Sequence, residues 1–492
     1  MRAHPAGPLH GGMTPPPAVG LPPADLGALE PAVWPRSARR VDGELQLGGK
    51  PVTELARAHG TPLFVLDEDD FRGRAADFAT AFDGADVHYA SKAFLCGQVA
   101  RWIADDGLHL DACSGNELAL ALAAGFPAER IALHGNNKSL VELQLAVDSG
   151  IGRIVVDSFD EIDRLVPIAE ASGRRVPVLI RATVGIEAHT HEFIATAHED
   201  QKFGFSLATG DALTAAVRVI REPALHLAGL HSHIGSQIFD TAGFEAAAHR
   251  VVGLLGQVHQ ATGELLGELN LGGGFGIAYL PDDDPVTPGD VARRLRTVVA
   301  AECAALDLPV PRLAVEPGRA IAGPGTVTLY EIGTIKPVRL GSGGQGAPPV
   351  RNYVSVDGGM SDNIRTALYD ASFTCVLANR TSDAPPALCR VVGKHCESGD
   401  VLVRDLWLPS DVRAGDLLAV AGTGAYCWSM ASNYNYLLKP PVVAARDGVA
   451  TEIVRRQTLA DVFALDAVLA HAPAPSPAVD QPAPEHPVGA RS

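Results

Sequence analysis

The stretch that decides the fold is Asp86-Val-His-Tyr-Ala-Ser-Lys-Ala-Phe94. Its first five residues form a mostly apolar run typical of a buried strand, and a turn of small residues follows with one lysine, Lys92. A lysine at the mouth of a barrel strand can be partly desolvated, which lowers its pKa and makes its amine a nucleophile. Most lysines are solvated surface charges, so Lys92 gains significance only from the residues that accompany it.

The same arrangement of apolar run, polar turn and alanine-rich amphipathic segment recurs between about residues 67 and 323. The runs are Asp86–Ala90, Leu108–Cys113, Ile131–His134, Arg153–Asp157, Val176–Ala182, Leu227–His233, Glu268–Leu271 and Arg312–Val315. Continuous apolar strands suit a parallel sheet covered on both faces. Eight such repeats over about 250 residues predict an α/β fold, a (β/α)8 TIM-like barrel.

Polar residues cluster directly after these runs rather than evenly at both ends. The clusters are Lys92, 114–117, 134–138, 157–158, His233, 272–274 and 316–319. Because barrel enzymes assemble their sites at the carboxyl ends of the strands, this asymmetry predicts a functional site there.

The pattern of predicted secondary structure changes after about residue 324. The runs Thr326–Ile335, Asn352–Asp357, Ala387–Val392 and Asp416–Ala421 are separated by Gly/Pro-rich turns without long helices, which predicts a β-rich domain, a β-barrel or sandwich. The early runs Pro62–Leu66 and Glu44–Leu47 are candidates to join it. We therefore expect a barrel over residues 67–323 and a β domain from residues 36–66 and 324–470.

The two ends of the chain have a different composition. Residues 1–35 and 471–492 are rich in Pro, Gly and Ala, which predicts disordered tails, and residues 341–349 read as an exposed loop. The first 35 residues contain no apolar core of signal-peptide length, and no run of 18 or more apolar residues occurs.

Charge and cysteine content limit the partners and the compartment. The formal charge of −17 disfavours nucleic acid or an anionic membrane as the main partner. Seven cysteines form no Cys-x-x-Cys pair, which indicates reduced thiols in a cytoplasmic protein. We assign no metal ligands.

Two glycine-rich turns indicate where an anion could bind. Gly272-Gly-Gly-Phe-Gly276 and Glu316-Pro-Gly-Arg319 follow the last two predicted strands, whose loops often hold phosphate in barrels. A lysine, a phosphate cradle and a buried acid together suggest pyridoxal 5'-phosphate, with Glu316 beside the ring nitrogen and His233 flat on the ring. Taken singly, a histidine such as His233 is more often a hydrogen-bonded core residue than a functional one, and Glu316 is compatible with a structural ion pair.

The chain resembles the fold-type III pyridoxal-phosphate decarboxylases, specifically the diaminopimelate decarboxylases and their actinobacterial branch. The matching stretches are 89–93, 134–139, 187–193 through 202–204, 231–236, 272–276, 316–319, 357–360, 396–398 and 422–426. They occur in the family's order over residues 60 to 440, whereas any one of them would be weak.

The resemblance implies roles at the cofactor. Lys92 tethers the cofactor aldehyde, His233 stacks on the ring and Glu316 pairs with the pyridine nitrogen. The residues implied at the phosphate are Ser236, Gly274, Gly318 and Tyr426.

It also implies roles at the substrate. Arg319 and Arg365 clamp the distal carboxylate, with Tyr369 and Tyr426 beside them, and the planar guanidinium suits bidentate carboxylate binding. If residues 361–369 are helical, Arg365 and Tyr369 face the same side.

Cys396 and Glu397 are the most diagnostic pair in the resemblance. The family places this loop in the active site of the neighbouring subunit, which implies a homodimer with shared sites. Cys396 is then the candidate proton donor, and Glu397 accepts the distal ammonium of the substrate.

The implied reaction is decarboxylation of meso-2,6-diaminopimelate to L-lysine and CO2, the last step of lysine biosynthesis. The nearest alternative is a related decarboxylase of ornithine, arginine or a carboxylated polyamine. A racemase of this fold type is disfavoured, because that group typically offers arginine to the ring nitrogen. A non-catalytic pyridoxal-phosphate carrier or regulator is disfavoured because Lys92, Cys396 and Glu397 are retained.

Overall fold

A computed structural model describes residues 20–185, 201–340 and 349–470. Four sequence-based expectations therefore lie wholly or partly outside the described residues. They concern the tail at 1–19, the matching stretch at 187–193, the loop at 341–348 and the tail at 471–492.

The described chain begins with a small antiparallel sheet. It contains β1 (Arg39–Val41), β2 (Glu44–Leu47) and β3 (Lys50–Pro51), followed by helix α1 (Val52–His59) and strand β4 (Leu63–Asp67). Asp42 and Gly43, at φ 50° and 85°, join β1 to β2, which is the conformation that an Asp-Gly hairpin turn favours. Strand β2 forms strand pairs only within this small sheet, but Leu45 and Leu47 pack in one apolar cluster with Val327 and Leu329 of the second domain.

The ordered chain also begins earlier than predicted. Val33 and Trp34 are at most 1% exposed and pack in the same apolar cluster as Leu45 and Leu63. The prediction of a disordered tail over residues 1–35 is therefore wrong for this part, because an aromatic and a β-branched side chain outweigh the Pro/Gly-rich composition around them.

A closed parallel barrel follows, as predicted. Its strands are β5 (Asp86–Ala90), β6 (His109–Ala112), β7 (Ile131–Leu133), β8 (Arg153–Val156), β9 (Val176–Thr183), β11 (Leu225–His231), β12 (Glu268–Asn270) and β13 (Arg312–Val315), and a short β10 (Phe205–Ser206) pairs with β9. Strand β13 pairs with β5 and closes the ring. All eight predicted runs are strands, each within two residues of its predicted ends.

Helices cover the outside of the barrel. They are α2 (Glu68–Ala81), α3 (Gly97–Asp105), α4 (Gly115–Ala123), α5 (Leu140–Ser149), α6 (Phe159–Ser172), α7 (Asp211–Arg221), α8 (Ala242–Thr262) and α9 (Pro288–Ala305), with a short α10 (Arg319–Ala322) after β13. The side chains of Ser114, Ser139 and Ser158 accept the backbone N–H that opens α4, α5 and α6. Part of the polar clustering after the strands is therefore helix capping.

The second sheet is antiparallel for the most part. Its strands are β14 (Thr326–Arg339), β15 (Val350–Val356), β16 (Cys375–Leu377), β17 (Pro386–Val392), β18 (Val401–Pro409), β19 (Leu417–Val420), β20 (Val442–Arg446) and β21 (Val449–Val454), with helices α11 (Arg365–Tyr369) and α12 (Leu459–Phe463). Strand β4 lies between β14 and β20, so the run at Pro62–Leu66 does join this sheet. No helix within the described ranges is long and apolar enough to cross a membrane.

Candidate active site

A cavity of about 450 Å³ opens at the carboxyl end of the barrel strands, beside residues of the second sheet domain. This volume lies within the range of sites that bind small molecules. The predicted site residues that line it are Lys92, His233, Ser236, Glu316, Arg319, Arg365, Tyr369 and Tyr426.

Lys92 lies in the turn after β5, and its side chain is 42% exposed at the cavity wall. Its Nζ is 3.9 Å from Oδ2 of the fully buried Asp111. Burial acts to lower the pKa of Lys92, but the acidic groups of Cys113, Asp111 and Tyr426 outweigh it, and the pKa is raised. The expectation of a lowered pKa is therefore wrong, because the sequence alone did not bring these acids to the lysine.

Glu316 forms the floor of the cavity and is 4% exposed. Oε1 accepts a hydrogen bond from Asn270 Nδ2 at 2.8 Å, and Oε2 lies 3.3 Å from His231 Nε2. His134 Nε2 is 3.1 Å from Oε1. Burial acts to raise the pKa of Glu316, but the two histidines outweigh it and hold the pKa well below its usual value. The carboxylate is therefore ionised at neutral pH.

His233 lies between Lys92 and the glycine-rich turn. The backbone N–H of Gly273 donates to His233 Nδ1 at 3.1 Å. Burial, together with the positive charges of Lys92 and Arg181, lowers the pKa of His233 well below its usual value. The ring is therefore neutral at neutral pH and can pack flat against an aromatic ligand.

The glycine positions bring backbone segments unusually close together. Gly274 adopts φ 107°, and a Cβ there would lie 2.4 Å from the carbonyl oxygen of Gly235, next to Ser236. A Cβ at Gly318 would lie 2.8 Å from Ala90 Cβ. Larger residues would displace the turns that carry Ser236 and Lys92, so glycine is required at both positions.

Arg319 is held at the cavity wall by side chains of the barrel loops. Its Nη1 donates to the Tyr279 hydroxyl at 2.6 Å, and its Nη2 donates to Ser236 Oγ at 2.8 Å. Its guanidinium carbon lies 4.8 Å from the centre of the Tyr426 ring. Nη1 and Nη2 each carry two N–H groups and each has one described side-chain acceptor, so the guanidinium keeps donors for a ligand.

Arg365 approaches the cavity from the second domain. It opens the short helix α11, and its guanidinium carbon lies 5.2 Å from the Tyr369 ring and 5.4 Å from the Tyr426 ring. Arg365 and Tyr369 thus lie on the same side of the helix, as expected, although the helix begins at Arg365 rather than at residue 361. Within the described parts of the chain, Arg365 Nε is a further buried donor without a partner.

Sequence comparison identifies both halves of this architecture. Residues 68–323 match the profile described as pyridoxal-dependent decarboxylase, pyridoxal binding domain, and residues 325–424 match the profile described as pyridoxal-dependent decarboxylase, C-terminal sheet domain. The chain belongs to the pyridoxal-dependent decarboxylase family. The cavity between the two matched regions is therefore the expected place for pyridoxal phosphate.

Relatives in this family share most of their length with the chain. Diaminopimelate decarboxylase of Mycobacterium tuberculosis is 57% identical over 90% of this chain and 99% of its own. The enzyme of the same name from Bacillus subtilis is 44% identical over 87% of this chain and 97% of its own. A crystal structure of diaminopimelate decarboxylase from M. jannaschii in complex with L-lysine superposes with a TM-score of 0.81 at 29% identity, covering 89% of this chain and 99% of the other.

Four residues that the decarboxylase resemblance singled out do not line the described cavity of a single chain, namely Gly274, Gly318, Cys396 and Glu397. Cys396 is exposed, and its backbone N–H donates to Asn435 Oδ1 at 3.2 Å. The Glu397 carboxylate accepts the N–H of Gly399 at 3.2 Å. Cys396 and Glu397 lie in the loop between β17 and β18, and both are exposed.

Sequence reasoning missed several residues that contribute to this decarboxylase cavity. His134 and Arg181 line the wall, Asn270 holds Glu316, and Tyr279 holds Arg319. Arg181 interrupts the otherwise apolar run of β9, which is a recognisable signal because buried polar groups need partners. His134 was seen at a strand end but was given no role.

The described residues contain two groups with metal-ligand geometry, although no metal ligands were predicted. They are Asp86 with His88 and His109, and His134 with His231 and Glu316, each with its ligand atoms within 4.8 Å of one another. The first group lies at the opposite end of the barrel, where Arg312 already pairs with Asp86 at 2.5 Å. The second is the floor of the active-site cavity.

Proposed function

We propose that this chain decarboxylates meso-2,6-diaminopimelate to L-lysine and CO2 with pyridoxal 5'-phosphate. The observation that carries the proposal is one cavity that holds the Lys92 amine and the ionised Glu316 carboxylate, in a chain 57% identical to a diaminopimelate decarboxylase. The amine and the acid suit the two ends of the cofactor.

The residues present fit the cofactor in charge and shape. Lys92 offers the tethering amine and Glu316 the partner for the ring nitrogen, while Ser236, Gly274 and Gly318 border the phosphate end and Tyr426 contributes from the second domain. Pyridoxal phosphate, when bound, supplies an aldehyde for the amine and a ring that accepts the electron pair left by departing CO2.

Glu316 and His233 act on the ring without leaving their positions. The Glu316 anion stabilises a proton on the ring nitrogen, and this proton favours withdrawal of electrons towards the ring. The neutral His233 covers one face, which excludes water and adds no positive charge. Lys92 carries a proton at neutral pH, so the amine must lose that proton before it attacks, and Asp111 at 3.9 Å holds the charged amine in place until then.

The substrate pocket contains two positively charged side chains that keep free hydrogen-bond donors. Arg319 and Arg365, each with a buried Nε free of described partners, suit the distal carboxylate of the substrate. Tyr369 and Tyr426 flank them and restrict their rotation. This arrangement favours a substrate with a second carboxylate over ornithine, which has none there.

We propose a homodimer in which each subunit completes its partner's site. The exposed position of Cys396 and Glu397 in a single chain supports this assembly, because neither side chain serves its own cavity. The Cys396 thiol then donates a proton to the carbon that lost CO2, and Glu397 accepts the distal ammonium.

We also propose that the protein works in the cytoplasm, since all seven cysteines are free thiols, and that nucleic acid is not a partner.

The first experiment measures CO2 release from meso-diaminopimelate, ornithine, arginine and a carboxylated polyamine by the purified holoenzyme. Activity on diaminopimelate should exceed activity on each of the others. Higher activity on ornithine would contradict the substrate assignment, and no release from any of them would contradict the enzyme assignment.

The second experiment tests the shared site. Lys92→Ala and Cys396→Ala variants should each be inactive alone, whereas a mixture allowed to exchange subunits should regain part of the activity. A mixture that exchanges subunits but stays inactive would contradict the assignment of Cys396 to the partner's site.

A further inference from the structure

His134 is one of the two histidines beside Glu316, and it also lies close to a second buried carboxylate. It follows β7, is 5% exposed and contacts the His231 ring edge to face at 5.0 Å. Its Nε2 lies 3.1 Å from Glu316 Oε1 and 3.7 Å from Asp111 Oδ1. Nε2 is not aligned for a good hydrogen bond with either oxygen within the described chain, as expected for one N–H shared between two acceptors.

The two acceptors are buried carboxylates, which lie 3.1 Å (Glu316) and 3.7 Å (Asp111) from the same imidazole nitrogen. Asp111 is fully buried, Glu316 is 4% exposed, and Asp111 Oδ2 lies 3.9 Å from Lys92 Nζ. Two carboxylates confined in a buried site repel, and one of them then takes up a proton unless a donor or a cation lies between them. The imidazole of His134 is the described group that touches both.

The other hydrogen-bond partners of Glu316 make no described hydrogen bond or ion pair with Asp111. Asn270 Nδ2 binds Oε1 at 2.8 Å and His231 Nε2 faces Oε2 at 3.3 Å. These contacts orient the carboxylate, but they do not separate it from Asp111. His134 is therefore placed to connect the acid beside the ring nitrogen with the acid beside the tethering lysine.

We propose that His134 is a positioning residue that keeps Glu316 ionised by sharing Nε2 between Glu316 and Asp111, and so keeps the ring nitrogen of bound pyridoxal phosphate protonated. This inference rests on the proposed function only in placing Glu316 beside the ring nitrogen. The charge state at one end of the cofactor is thereby linked to the Asp111–Lys92 pair at the other end.

Removal of the imidazole has a defined consequence. His134→Leu replaces the imidazole with an apolar side chain of similar length. Glu316 then loses the Nε2 group that it shares with Asp111. Glu316 becomes a stronger base and takes the proton from the ring nitrogen. His134→Gln retains an N–H donor but cannot carry a charge, so its effect is in the same direction and smaller.

The test is ¹⁵N NMR of the holoenzyme reconstituted with cofactor labelled at the ring nitrogen, recorded over a pH series without substrate. We expect the ratio of protonated to unprotonated ring nitrogen to fall roughly tenfold or more in His134→Leu, equivalent to about 1.4 kcal/mol, and less in His134→Gln. Glu316→Gln provides the reference signal for an unprotonated ring.

The matched control is His88→Leu. His88 is 3% exposed inside the same barrel, and its ring nitrogens have no hydrogen-bond partner in the described ranges. It forms no hydrogen bond or ion pair with Glu316 among the described residues, and burial lowers the pKa of His88 to about 3, so its imidazole is neutral and its loss should change the ring nitrogen less than the loss of His134 does. An equal change in the His88 variant would show a general packing effect and would overturn the inference.

Two further results would overturn it. One is an unchanged ring-nitrogen signal in both His134 variants, or in His134→Gln if the Leu variant does not fold. The other is a stoichiometric metal ion in the purified wild type bound by His134, His231 and Glu316. The NMR measurement needs no substrate. A negative NMR result therefore does not contradict the proposed decarboxylation, and a protein that releases no CO2 can still be tested for the protonation state of the ring nitrogen.

Discussion

The two ends of the barrel carry the same kinds of side chain and use them differently. At the amino end, Asp86, His109, Arg153, Glu268 and Arg312 are each the first residue of a strand. They pair with one another, Arg312 with Asp86 at 2.5 Å and Arg153 with Glu268 at 2.7 Å. At the carboxyl end, the charged groups converge on a cavity, and the described Arg319 and Arg365 keep unpaired donors.

This comparison corrects one assumption of the sequence analysis. Polar residues are not confined to the carboxyl ends of the strands, since both ends are charged. What distinguishes the active end is that its charges are not neutralised locally and surround a space large enough for a ligand. Ion pairs occupy the amino end of the barrel, whereas free hydrogen-bond donors at the carboxyl end indicate the binding site.

The largest expected difference between the ends concerns catalysis. Lys92→Ala should lower CO2 release on the order of 10⁴-fold or more, because the tethering amine acts as a unit with its neighbours. Arg312→Gln removes a charge of the same sign at the amino end and should leave turnover within about twofold. Steady-state kinetics at saturating cofactor compares them, and equal losses would remove the functional distinction between the ends.

The next effect concerns substrate binding. Arg365→Gln should raise KM for diaminopimelate roughly 10- to 100-fold, equivalent to the about 1.5–3 kcal/mol of a charged hydrogen bond. Arg404→Gln is the matched control, since Arg404 contacts the same short helix through Thr366 and Asp370 but does not line the described cavity. An unchanged KM for the Arg365 variant would exclude it from the carboxylate clamp.

At the amino end the expected effect is on stability. Glu268→Gln leaves Arg153 without its charged partner and should lower the free energy of unfolding by about 1–3 kcal/mol, with kcat unchanged. Glu302→Gln, in the exposed pair with His249, should change it by less than about 1 kcal/mol. Urea denaturation of both variants provides the measurement, and a loss of turnover without a loss of stability would contradict this structural role.

The smallest effect concerns His109, 3.5 Å from Asp86. Burial lowers the pKa of His109 below its ordinary 6.5, although Asp86 acts in the opposite direction. The unfolded chain therefore binds more protons than the folded one below about pH 6.5, so the stabilising contribution is present above that pH and is lost as the pH falls. His109→Gln should change the free energy of unfolding by less than about 1 kcal/mol at pH 8. As the pH falls towards 5, the variant should become more stable relative to the wild type. A constant difference in thermal unfolding across this range would contradict the lowered pKa.

Much of the fold was predictable because its signals are local. Each barrel strand is a short apolar run followed by a polar turn, and these patterns survive in the sequence whatever the partners of the strand are. The β domain was harder, because polar residues interrupt β18 and β21, and the apolar runs of β16 and β20 are short. The early ordering of Val33 and Trp34 was missed for a related reason, since their burial depends on a distant sheet.

The sequence by itself determined the eight-strand barrel, the position of Lys92 at a strand end, and the glycine turns and acid that indicate pyridoxal phosphate. Only the tertiary structure decided which polar groups meet. Asp111, His134, Asn270 and Glu316 come from four strands, and barrel closure brings them within a few ångströms of Lys92 or of one another. The physical reason is range: strand and turn patterns arise from neighbouring residues, whereas the charge state of a buried group depends on side chains that are distant in sequence.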